Sequence, residues 1–109
     1  MEIEYKKTSR GFATIEFKDY YDASCSVQKS SLATKGAIWI GIDDPAPKIL
    51  ASKVNQVNPE TGEVSGWVPF HIPDDVLIST RMHLTREQVA MLLPILQVFV
   101  ETGELPEKE

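Results

Sequence analysis

Apolar and polar positions alternate through the first forty residues. In GFATIEFKD, Ala13, Ile15 and Phe17 alternate with Thr14, Glu16 and Lys18, the period of a strand buried on one face. DYYD interrupts the pattern, and ASCSVQKS resumes it with Ala23, Cys25 and Val27 on one side, so the two segments predict a hairpin. SSLATKG is the next connection. AIWIGID then sets Ile38, Ile40 and Ile42 against Trp39, apolar on both faces, as expected of a central strand. DDPAP breaks the run, because proline cannot donate to a strand ladder. KILASKVNQV and EVSGWVPFHI flank NPETG, a turn signal with proline second and glycine last, and are read as two further strands. DDVLIS and TRMHL are read as shorter strands.

The period changes once, near the C-terminus. From Arg86 to about Glu101, Val89, Leu92, Leu93, Leu96, Phe99 and Val100 follow helical spacing. Thr85 and Gln88 form a capping box at the start, Leu84 and Val89 sit where a hydrophobic staple forms, and Gly103 supplies the stop. Pro94 forfeits one internal hydrogen bond and should bend the helix. The expected fold class is therefore α+β: a mostly antiparallel sheet of five to seven strands with one C-terminal helix packed on one face. Residues 1–103 are read as one domain and 104–109 as an acidic tail. A helix of about sixteen residues is roughly 24 Å long, enough to cover four or five strands at about 4.8 Å spacing. The other sheet face needs a second cover, which points to a homo-oligomer.

Composition narrows the function classes. The 109 residues carry 11 basic and 16 acidic side chains, a net charge of −5, which argues against a broad footprint on long nucleic acid. One cysteine permits no internal disulfide and excludes a four-cysteine zinc site, which favours a reducing compartment such as the cytoplasm. MEIEYKKTSRG has no signal-peptide character, and VAMLLPILQVFV is too short to span a bilayer.

No nucleophile elbow, phosphate loop or zinc-protease motif is present, so no catalytic residue, metal or cofactor is assigned. Cys25 alternates in phase with core residues. His71, Asp74, Asp75 and His83 have metal-ligand chemistry without a metal-site spacing. The remaining chemistry belongs to a binding surface. If TRMHL is a strand, Arg81 and His83 share one face while Met82 and Leu84 take the other. Trp39 offers an aromatic plane, and Gln28, Ser30 and Ser31 offer amide and hydroxyl groups beside Lys29. Arg81, His83, Gln28, Ser30, Ser31 and Trp39 are accordingly the candidate ligand-binding residues for a small anionic, nucleotide-like molecule.

IEFKDYYDASCSVQKSSLATKGAIWIGID and RMHLTREQVAMLLPILQVFVETGEL together resemble a family of small accessory proteins encoded by bacteriophages and prophages. The resemblance leaves out PAPKILASKVNQVNPETGEVSGW and carries no catalytic motif, so it transfers no functional residue. It implies a setting, the host bacterial cytoplasm, and a role in countering host defence. Sequestration of a nucleotide signal is the leading expectation. An inhibitor that binds a host defence protein or nuclease is the alternative, and a virion or assembly component the second alternative.

Overall fold

A computed structural model describes residues 2–30 and 36–107. The chain forms two compact units, Met1–Asp43 with Arg81–Glu109, and Asp44–Thr80, the second inserted in sequence between two strands of the first. The fold class is the α+β arrangement expected.

In the first unit, β1 (Glu4–Lys7), β2 (Ala13–Lys18), β3 (Ser24–Lys29), β4 (Ala37–Ile42) and β7 (Arg81–Thr85) form an antiparallel sheet in the order β1-β2-β3-β4-β7. The β2–β3 hairpin turns on Asp19, whose Oδ1 accepts the N–H groups of Tyr21 (2.8 Å) and Ala23 (2.9 Å). A short side chain that can cap its own turn is what aspartate supplies. Register places Phe17, Cys25 and Ile42 in one row and Ile15, Val27, Ile40 and Met82 in the next, so these side chains share the apolar face. Cys25 and Ala37 are buried, while Phe17, Val27, Ile38, Ile40 and Ile42 are half-buried. Strand β1 carries no apolar alternation because all four of its residues are exposed. Backbone pairing to β2 holds it, with Lys6 Nζ 3.0 Å from Glu16 and 3.1 Å from Glu4.

The second unit departs from the expected strands. Only β5 (Lys48–Leu50) and β6 (Trp67–Pro69) pair, three residues each, and a short 3-10 helix occupies Ala51–Lys53. The intervening hydrogen bonds go to Asn58 instead of a ladder. Its Oδ1 accepts the Glu60 N–H (2.8 Å), and its Nδ2 donates to the Ser65 and Trp67 carbonyls (3.3 and 3.5 Å). The turn at NPETG forms, closed by the Gly62 N–H on the Asn58 carbonyl at 2.8 Å. Val68 (1% exposed) and Ala51 make the small core. The expected strand in DDVLIS is a correction: no strand forms there, and Val76, Leu77 and Ile78 are exposed.

Helix α1 (Arg86–Thr102) starts where its sequence predicts. Thr85 Oγ1 accepts the Gln88 N–H at 3.2 Å and Gln88 Oε1 accepts the Thr85 N–H at 2.9 Å, a complete capping box. Gly103 ends the helix at φ 76, its N–H on the Phe99 carbonyl at 2.8 Å. Thr85→Ala is expected to lower stability by about 1 kcal/mol, read by chemical denaturation; a much smaller loss would mean that the cap does not hold the helix start. The helix follows β7 with no connecting loop, so it leaves the sheet at the strand's end. Its first turns close a groove of about 410 Å³ with Ile38, Leu84, Val89, Ala90 and Leu93 in its walls. Cover is therefore shorter than the helix's length allows.

Candidate polar face of the sheet

The sheet's second face is built by the same alternation that builds the core. Each residue out of phase with the apolar row projects to the opposite side, and antiparallel register aligns these residues across strands. One row runs Thr14, Gln28, Trp39, His83; its neighbour runs Glu16, Ser26, Gly41, Arg81. Trp39, Gln28, His83 and Arg81, scattered over more than fifty positions of sequence, thus meet on one face.

Their contacts are specific. The His83 ring meets the Trp39 ring edge-on, with centroids 4.7 Å apart and planes at 87°. Arg81 Cζ lies 5.1 Å from the Trp39 ring centroid, a cation held against a π-face. Gly41, between Ser26 and Arg81 in its row, adds no side chain to that space. Trp39 Nε1 is enclosed and has no hydrogen-bond partner among the described residues, so the cluster includes an unsatisfied donor. An unsatisfied buried donor costs about 1–3 kcal/mol. His83 is exposed, while Arg81, Trp39 and Gln28 are half-buried.

The other expected site residues divide. Ser30 is buried beyond the end of β3, its N–H on the Ala37 carbonyl at 2.9 Å, where it helps to join β3 to β4. Ser31 lies outside the described residues. Sequence reasoning missed Ser26, which is buried and donates to Asp43 Oδ1 at 2.7 Å. The signal was available: Ser24, Ser26 and Gln28 alternate against Cys25 and Val27 and so form a polar stripe of β3.

Beside this stripe lies an acidic depression of about 560 Å³, with Glu2, Glu4, Glu16, Asp19, Asp22 and Asp43 among its walls. Cys25 also borders it, and burial, followed by the nearby Asp19 and Asp43 carboxylates, pushes its thiol above the ordinary range. A thiol kept protonated at neutral pH is a poor nucleophile. Among the described residues no group of three or more histidine, cysteine or acidic side chains is gathered to hold a metal ion, and no helix is long and apolar enough to cross a membrane. Comparison of the chain with family models, curated proteins and solved structures gave no match.

Proposed function

We propose that the chain is a non-enzymatic binding protein whose polar sheet face holds a small nucleotide-type anion. In the setting that the phage-family resemblance implies, it would sequester such a signal in the bacterial cytoplasm. The observation that carries the reading is the Trp39–Arg81–His83 cluster with Gln28 in the same row. An indole plane can stack a nucleobase, a guanidinium can take a phosphate through two parallel hydrogen bonds, and an amide can read a base edge. Ligand binding would exchange the Arg81–Trp39 contact for base stacking on the indole and phosphate pairing by Arg81. The carboxylates of the neighbouring depression favour an anion on the Arg81 side over one near β1.

A thermal-shift screen against cyclic di- and oligonucleotides and ADP-ribose derivatives tests this. A ligand at a hundred times its Kd adds about 2.7 kcal/mol, which for a domain of this size raises Tm by roughly 10 °C or more. Arg81→Ala should remove most of that rise. A folded sample that shifts with none of these compounds would end the proposal.

The acidic depression supports a second reading, an inhibitor that presents carboxylates to a basic surface of a host defence protein or nuclease. Its mark would be a stoichiometric protein partner in a pull-down from host lysate, released by salt and lost when Glu4 and Glu16 are both changed to glutamine.

A further inference from the structure

Helix α1 has the largest unmet need for cover in the first unit. At 100° per residue, Arg86, Ala90, Pro94, Gln97 and Glu101 lie along one narrow strip, and apolar residues fill most of the remaining circumference. A helix that packs on one surface needs an apolar stripe of about 100°; α1 carries about twice that. None of its residues is buried. Leu96 is 55% exposed, Phe99 52% and Val100 76%. Met91, Leu92, Leu93 and Ile95 are also exposed.

The chain's own sheet does not meet this need. With Thr85 ending β7 and Arg86 opening α1, no loop lets the helix turn back, so the groove on Ile38 and Leu84 takes only its first turns. A helix of this length containing a proline is marginal without tertiary cover. Seven apolar side chains between Met91 and Val100 are 39–76% exposed, an apolar surface of the order that each partner contributes to a standard interface, about 800 Å². The arc carries no charge, so nothing on it steers a charged partner and nothing repels a second copy of itself. An uncharged, self-compatible apolar arc of that size is what an isologous interface requires.

We infer that α1 is the interface of a symmetric homodimer, with a second copy of this chain covering the apolar arc from Met91 to Val100. The strip bearing Gln97 and Glu101 stays outward. Pro94 lies on that strip, so a bend at it would be concave toward the interface. Dimerisation through α1 does not depend on the polar sheet face. A dimer that binds no nucleotide would leave this inference standing while ending the ligand proposal.

Sedimentation equilibrium of the full chain over a wide concentration range is the test. The expected result is a species of twice the chain mass, and its reduction to a single chain by the double substitution Leu96→Glu, Val100→Glu. Gln97→Glu, on the outer strip, should leave the dimer intact. Hydrogen exchange on the wild-type chain decides the matter should the double variant not fold: the amides of Leu92–Val100 should be protected, and less so on dilution. Two results would overturn the inference. One is a monomer at every concentration with unprotected α1 amides, which would leave the arc to some other partner. The second is a dimer that survives the double substitution.

Discussion

Replacing Gly66 with alanine is expected to destabilise the 44–80 unit by about 3 kcal/mol, whereas the same change at Gly62 should cost only about 1 kcal/mol. Both glycines hold left-handed backbone, φ 81 and φ 74, so both substitutions meet the same conformational penalty. The difference is what a Cβ would touch. At Gly62 it meets open space, while at Gly66 it stands 2.8 Å from Asn58 Nδ2. Asn58 has no room to yield. It is 7% exposed, and its side chain holds the Glu60 N–H and the Ser65 and Trp67 carbonyls, while its own N–H is on the Glu63 carbonyl at 2.7 Å. Displacing it would break the bonds that stand in for a strand ladder. Urea denaturation followed by the fluorescence of Trp67, on a Trp39→Phe background, separates the two variants. Equal losses at the two glycines would show that Asn58 is not the anchor.

That anchor explains why the middle of the chain was the least legible part of the sequence. KILASKVNQV and EVSGWVPFHI look like strands because their apolar residues recur, yet Val57 and Val64 are exposed and pair with nothing. A single buried side-chain amide that collects three hydrogen bonds leaves no periodic trace. Strand β1 failed for the opposite reason: its pairing is real, but no side chain of it is buried, so no alternation was selected. By contrast β2 and β3 alternate because each has one more enclosed face, and the start of α1 follows from its capping box. For the polar face of the sheet, alternation placed Arg81 with His83 and set Trp39 opposite Ile38. What it could not give was register. One step of slippage between β4 and β7 would turn Trp39 and His83 to opposite faces.

Because that register is set, Trp39 can be tested apart from its role in the fold. Trp39→Ala should weaken binding of the nucleotide that gives the largest thermal shift by about tenfold to a hundredfold, since stacking on an aromatic side chain contributes about 1–3 kcal/mol per base. The cost to the unliganded fold should stay well below the roughly 3–5 kcal/mol of a fully buried tryptophan, because Trp39 is only half-buried. Trp39→Phe keeps a ring for His83 and for a base but removes the unpartnered Nε1 donor, so it should retain most of the affinity and of the stability. Arg81→Lys separates charge from geometry. The lysine keeps a cation near the ring but not the planar fork, so binding should fall almost as far as in Arg81→Ala if the guanidinium takes a phosphate bidentately. A purely structural Trp39 gives another pattern, in which Trp39→Ala lowers Tm while the dissociation constant of the folded fraction stays unchanged. Calorimetric titration of the three variants beside their melting curves distinguishes the two, and an unchanged Kd in Trp39→Ala would remove the indole from the binding face.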